Sequence, residues 1–386
     1  VHLAGKLEAA YSSELGKILL IGLASRILVF VAASVGYSLF GPGMANPNSA
    51  IPFINLFSQW DAAWYDAIAV NWYPQGADPL SGNWAFFPLY PALMRIFGTP
   101  LTPFMLPEQA YYISGFLVSN LLFFACLILF YKVTQTIFNN QKYSLISTVF
   151  FAFWPGALFY SAVYSESLFM VFALGAFYFL ERGSAGKSTI LAVLAAATRS
   201  NGFMILIPFV YAGLQKRKIK TAVVQTVCIF LPYLLFSVYG YFLTGLFPVR
   251  EIVYSQIWGA YAAQPIAVSL ENVGYALLYI AEGVLIALPF IWFARNDKVP
   301  LKEFVMGLNQ RKDLKYWVFA ALIVIMLLFY ADPKNLHRYA LPMLPLYWGF
   351  TWAWYKNEKW GKLLLAICIA IMTLGAALFA LGGYYI

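Results

Sequence analysis

The sequence predicts an all-α polytopic membrane protein. Two observations carry this. Of its 386 residues, 62% are hydrophobic and 11% are charged, with mean hydropathy +0.72, whereas a soluble domain carries about 25% charged residues. Long apolar runs also recur to the end of the chain, which fits many spans rather than a soluble domain with one anchor. The chain is expected to form a single membrane domain over 1–386, with about 11 transmembrane or re-entrant helices and a large first external loop bearing interfacial helices.

The apolar segments lie near 17–38, 112–131, 143–162, 165–181, 188–199, 202–214, 221–244, 271–294, 316–331, 341–355 and 363–385. The first is long enough to span and shows no clear cleavage site, so no removable signal is expected. Cys126, Cys228 and Cys368 each sit in an apolar run and read as small core residues, with neither a disulfide framework nor metal-ligand spacing.

The basic residues orient the spans. Nineteen of the 25 Lys and Arg fall in one set of loops, including Lys132, Lys142, Lys187, Lys216 to Lys220, Arg311 to Lys315 and Lys356 to Lys362. The positive-inside rule places these loops in the cytosol. Topology thus accounts for the net charge of +9 without a nucleic-acid partner. The other six are Arg26, Arg95, Arg199, Arg250, Lys334 and Arg338. They fall in spans or on the external side, where orientation gives no reason for them.

Basic loops at 181–188 and 215–220 enclose only 26 residues. Two helices of about a dozen residues rise only about 18 Å each, short of a ~30 Å hydrocarbon core. A hairpin turning inside the membrane is expected over 189–214, with Thr198-Arg199-Ser200-Asn201-Gly202 at its tip; the alternative is one kinked span. Polar backbone at that depth requires protein or a wet cavity around it.

The external loop 41–111 exceeds any simple connector. In Gln59-Trp60-Asp61-Ala62-Ala63-Trp64-Tyr65-Asp66, Asp61 and Tyr65 are four apart and share a helix face, as do Trp60 and Trp64. Trp favours the membrane boundary, so this helix is expected to hold a carboxylate over the bilayer. An ordinary Trp-rich surface helix has the same spacing. A second interfacial helix is expected around Asn83 to Arg95, with Pro88 near its first turn.

Pro155 should kink the span over 143–162, and Ser165-Glu166 suits a helix start. Gly183-Ser184-Ala185-Gly186-Lys187-Ser188 is too short between its glycines for a phosphate loop and reads as a tight turn. Arg26 and Glu282 lie inside spans, where a charge needs a partner, and each could serve the other. Lys334, His337 and Arg338 form an external basic cluster, and Arg can bind two phosphate oxygens at once.

An external carboxylate beside several cations suits sugar transfer from a lipid-linked phosphate. Asp61 would take the acceptor's proton, and Arg199, Lys334, His337 and Arg338 would stabilise the leaving phosphate. Direct displacement would invert the anomeric centre. Trp60, Tyr65, Glu166, Asn201 and Arg26 are the supporting candidates.

Five blocks in order carry a family resemblance. They are Trp60-Asp61-Ala62-Ala63-Trp64-Tyr65-Asp66, Ala85-Phe86-Phe87-Pro88-Leu89-Tyr90-Pro91, Tyr164-Ser165-Glu166-Ser167, Arg199-Ser200-Asn201-Gly202 and His337-Arg338-Tyr339. Together they resemble the PIG-V family. That resemblance implies a GT-C fold and a polyprenyl-phosphate-sugar donor, most often mannose. It further implies a lipid or glycolipid acceptor, the non-cytosolic face as the site of reaction and Asp61 as the catalytic carboxylate. It also strengthens Glu166, Arg199 and Asn201 as candidates. No Asp-x-Asp pair lies near Asp61, so neither a metal nor a resident cofactor is expected. The partners expected are membrane lipids and these two substrates. The compact chain points to a prokaryotic cell membrane with the site facing outside, or to the lumenal face of the endoplasmic reticulum in a eukaryote. A transporter or flippase of lipid-linked sugars would use the same cavity without a base, since broken helices at the midplane also suit transport. A purely structural subunit would leave the intramembrane charges unexplained.

Overall fold

The structure is a computed structural model that describes residues 13–41, 51–74, 81–258, 273–296, 311–330 and 336–382. All the regular structure among them is helical. Each apolar segment predicted from the sequence contains a helix. The first is α1 (Glu14–Phe40), started by Ser13, whose hydroxyl accepts the Gly16 amide. Its burial pattern is that of a membrane helix. Leu19, Leu23, Ile27, Val31 and Val35 are exposed, while Gly22, Ser25, Ala33 and Gly36 face inward. Small residues let helix backbones approach where lipid supplies no hydrophobic drive between helices. A Cβ on Gly36 would stand 2.7 Å from that of Ala377, so α1 lies tight against the last helix described, α14 (Glu358–Ala380).

After the one-turn helix Pro52–Asn55, two longer helices of the external loop follow: α2 (Asp61–Asn71) and α3 (Leu89–Gly98). The second interfacial helix expected from Asn83 onward is therefore two pieces. Gly82–Ala85 is a single 3-10 turn, Phe86 is extended, and α3 starts after Pro88. The break follows from Pro88, which biases the residue before it away from helix. Trp64 lies over Gly82, where a Cβ would meet the ring at 2.5 Å. Ile68, Tyr73, Trp84 and Phe87 then bury against Phe236, Val249 and Val253. This small core fixes the loop to α9 (Ile219–Thr244) and α10 (Val249–Trp258).

Helix α4 (Pro107–Phe138) has 32 residues, enough to rise about 48 Å. The span expected over 143–162 is corrected by the structure: α5 (Gln141–Ala152) ends before Pro155, and Pro155–Tyr160 is a 3-10 turn. Pro155 breaks the helix rather than kinking it. Trp154 takes an extended conformation, with ψ 142, and its indole N–H donates to the His337 carbonyl at 2.9 Å. A Cβ on Gly156 would overlap that same carbonyl oxygen.

Next come α6 (Glu166–Glu181), α7 (Ala185–Ala196) and α8 (Leu206–Gln215), the last two joined through the 3-10 turn Ser200–Ile205. The turn expected over 183–188 is confined to its first residues, with Gly183 at φ +74, because α7 already starts at Ala185. The remaining helices are α11 (Val273–Asn296), α12 (Leu314–Tyr330), the one-turn helix Leu336–Tyr339 and α13 (Leu344–Lys356). Among the described residues, α1, α4, α9 and α14 are long and apolar enough to cross a membrane. The protein is integral to the membrane.

Candidate active site

Helix α2 begins at Asp61 because the chain turns sharply just before it. Trp60 has φ 55 and ψ −113, a left-handed conformation that costs a bulky residue about 1–3 kcal/mol. Tyr164 holds the turn in place. Its hydroxyl donates to the Gln59 carbonyl at 3.1 Å and accepts the Asp61 amide at 3.2 Å. The Asp61 carboxylate is thereby presented at the helix start, with 21% of its side chain exposed, and Trp60 is 37% exposed beside it.

The partner of Asp61 is far away in sequence. Arg338, on the one-turn helix Leu336–Tyr339, brings Nη1 to 2.7 Å from Asp61 Oδ2. Its Nε bonds Glu166 Oε1, and Arg199 Nη1 pairs with that same oxygen. The result is a row of alternating charge: Asp61, Arg338, Glu166, Arg199. Glu166 is 3% exposed and Arg338 7%, so Asp61 is the carboxylate that solvent or a substrate can reach. The Arg338 guanidinium also stands over the Tyr164 ring at 4.6 Å and the Phe159 ring at 5.3 Å. Burial alone would loosen its proton; the Glu166 and Asp61 carboxylates outweigh that and raise its pKa well above the usual arginine value.

Tyr65 reaches the same place from one turn along α2. Its hydroxyl lies 2.7 Å from Ser165 Oγ, which also accepts from Arg199 Nη1 at 3.4 Å. Burial raises the Tyr65 pKa well above the ordinary phenol range. Ser165 stands at the start of α6, yet its side chain makes no capping bond there; its hydroxyl serves the cluster instead. Sequence reasoning placed Ser165 as a cap and did not single out Tyr164, although both lie beside Glu166 in the same block.

The structure separates the other candidates. Arg26 does not reach the cluster. Its Nη1 donates to Ser161 Oγ at 2.7 Å, and its guanidinium covers the Phe123 ring at 3.9 Å. The expected carboxylate partner is corrected, for no acid among the described residues is within ion-pair reach of Arg26. Glu282 is instead bonded to His337, Oε2 to Nδ1 at 2.9 Å, both at 0% exposure. The His337 ring stacks on Phe159 at 5.4 Å. His337 is thus enclosed, its ring turned to Glu282 and Phe159 rather than to the surface, and its neighbour Arg338 carries the contact to Asp61. Asn201 lies in the turn after Arg199, with its side chain outside the described residues, and Lys334 lies outside them altogether. Among the described residues, no three His, Cys, Asp or Glu side chains gather as a metal site would require.

A carboxylate open to substrate beside a buried guanidinium, with further anion and cation behind, can move a proton and hold a phosphate. Residues 38–261 match the family described as Mannosyltransferase (PIG-V). The chain belongs to this family. The match covers Asp61, Glu166 and Arg199, while Arg338 enters from beyond it. Among curated relatives, GPI mannosyltransferase 2 of Schizosaccharomyces pombe is 25% identical over 346 residues, covering 83% of this chain and 71% of that protein. GPI alpha-1,6-mannosyltransferase 2 of Mus musculus is 30% identical over 153 residues, covering 39% and 30%. The chain therefore spans less than a third of the mouse relative. Among solved structures, the Archaeoglobus fulgidus oligosaccharyltransferase aligns with TM-score 0.46 and 14% identity, over 92% of this chain and 53% of that one. This PIG-V family chain is a membrane glycosyltransferase of the mannose-transferring class.

Proposed function

We propose that the protein transfers mannose from a polyprenyl-phosphate-mannose donor to a hydroxyl of a membrane lipid or glycolipid, with inversion at the anomeric carbon. The observation that carries this is the 2.7 Å pairing of the partly exposed Asp61 carboxylate with Arg338. Asp61 accepts the proton of the acceptor hydroxyl, and the oxygen attacks the anomeric carbon. The bond from that carbon to the phosphate oxygen breaks, and the phosphate leaves with the electron pair. Arg338 meets the charge growing on that phosphate, with Arg199 behind it. Glu166 keeps the two guanidinium groups charged and close together. Lys334 and Asn201 remain candidates for the donor phosphate and the substrate. In this scheme no resident cofactor or metal takes part. The reaction faces the outside of a prokaryotic cell, or the lumen of the endoplasmic reticulum if the source is eukaryotic.

The test is transfer of radiolabelled mannose from polyprenyl-phosphate-mannose to a membrane lipid extract by purified protein. Asp61→Asn is expected to lower turnover by about 10²–10⁴-fold, the range for loss of a general base, with donor affinity retained. Arg338→Ala is expected to weaken donor binding by tenfold or more, on the order of one charge-assisted hydrogen bond. Wild-type turnover in the Asp61 variant would remove the base, and unchanged donor affinity in the Arg338 variant would remove the phosphate contact.

A further inference from the structure

A cavity of about 310 Å³ lies at the other end of the molecule, between α11, α12, α13 and the junction of α4 and α5. Phe138, on its wall, is the last residue of α4. Ser119 of the same helix bonds the Tyr164 carbonyl beside the Asp61 cluster. Phe138 lies nineteen positions after Ser119, a rise of about 28 Å at 1.5 Å per residue, close to the ~30 Å of a hydrocarbon core. The cavity therefore faces the opposite leaflet, the one flanked by most of the basic loops. Residues 289–356, which supply most of its wall, lie outside the segment that matches the family.

Its size falls at the lower end of ligand pockets, suited to a headgroup rather than a whole lipid. The pocket is preformed. A Cβ on Gly349 would stand 2.5 Å from that of Pro289, so α13 and α11 touch at one edge of it. Trp292, Trp317, Trp348 and Trp352 line it together with Arg311 and Lys356. An aromatic box alone would suit a quaternary ammonium, but the charges here have the wrong sign. Asp313 is bound by Arg311, with Nη2 to Oδ2 at 2.7 Å and Nε to Oδ1 at 3.1 Å. Lys356 is the surplus cation. Its ammonium stands 5.4 Å from the Trp352 ring, and no carboxylate among the described residues is within ion-pair reach of it. A basic, Trp-walled pocket at membrane-interface depth matches a phosphate carried on a lipid.

We infer that this cavity binds the headgroup of an anionic phospholipid from the leaflet opposite the Asp61 cluster, with Lys356 on the phosphate. The delipidated full-length protein in detergent would be titrated with phosphatidylglycerol, phosphatidylcholine and inorganic phosphate and followed by native mass spectrometry. Wild type is expected to retain phosphatidylglycerol at about fivefold lower concentration than phosphatidylcholine, the effect of one basic residue at an anionic headgroup. Lys356→Gln should abolish that preference, and Trp352→Leu, which leaves the charge unchanged, should weaken it. Lys362→Gln, on the same surface but paired with Glu358 at 2.7 Å, should keep it. Wild-type melting temperature and mannosyl transfer in all three variants would show that they fold. Equal retention of the two lipids by wild type would overturn the inference. So would full preference in Lys356→Gln, or an equal loss in Lys362→Gln. Displacement of phosphatidylglycerol by equimolar inorganic phosphate would overturn the lipid as occupant.

Discussion

Glu282 and Asp66 are buried carboxylates with opposite circumstances. Glu282 is satisfied by the His337 ring, and His337 is the residue before Arg338. Removing the acceptor would free the ring and loosen the backbone that aims the guanidinium. Glu282→Ala is expected to raise the donor KM several-fold with a smaller change in kcat. Glu282→Gln, which keeps an oxygen for the ring N–H, should restore it. A uniform fall in kcat with KM unchanged in Glu282→Ala would argue against positioning. Asp66 is 6% exposed, and its Oδ1 has no hydrogen-bond partner among the described residues. Burial, and secondarily the Glu108 carboxylate, push its pKa up from 3.8 to about 8. The folded state therefore prefers the protonated acid. That preference is fully present below pH 4 and is lost as pH rises to about 8. Asp66→Asn should remove this loss, gaining on the order of a few °C in Tm relative to wild type at pH 9 and little at pH 4. Parallel Tm profiles for the two proteins across that range would contradict it.

The break after α5 shows how a helix end can serve a site formed elsewhere. Trp154 and Gly156 both meet the His337 carbonyl, one by hydrogen bond and one by close approach. Gly156→Ala would force that carbonyl, and Arg338 with it, out of place. Overpacking of this kind costs about 1–3 kcal/mol, so a lower Tm and a raised donor KM are expected; wild-type values for both would show that the segment can yield. The sequence made Pro155 legible as a disturbance, because a missing N–H is a local property. It could not show that the chain needs Gly156 small, since the neighbour lies 181 residues away. The same limit explains the rest of the site. Asp61 and Tyr65 were legible together because helical spacing puts them on one face. The pairing of Glu166 with both Arg199 and Arg338 was not, nor was the enclosure of His337 by Glu282. Those contacts depend on how the helices pack, which no local period encodes. Arg26 was misread for a related reason: in hydrocarbon an acid looks obligatory, whereas here Ser161 and the Phe123 face receive the cation.

Sidedness joins the two ends of the molecule. Apolar length made the helical segments readable in advance, and the distribution of Lys and Arg gives them an expected direction, since both are composition effects summed over many residues. That direction can be tested away from any functional residue. Phe104, at 83% exposure, lies just before α4 on the Asp61 side, and Lys359 is exposed at the start of α14 on the other. Of the native thiols, Cys126 and Cys368 are buried and Cys228 is half-buried, so a Cys228→Ser background leaves little to label. In intact cells of the expression host, a membrane-impermeant maleimide should label Phe104→Cys and leave Lys359→Cys untouched until the cells are permeabilised. The reverse pattern would turn the Asp61 cluster toward the cytosol. It would also place the Trp-lined cavity on the outer leaflet, so the donor and the phospholipid would each have to approach from the side opposite to the one proposed.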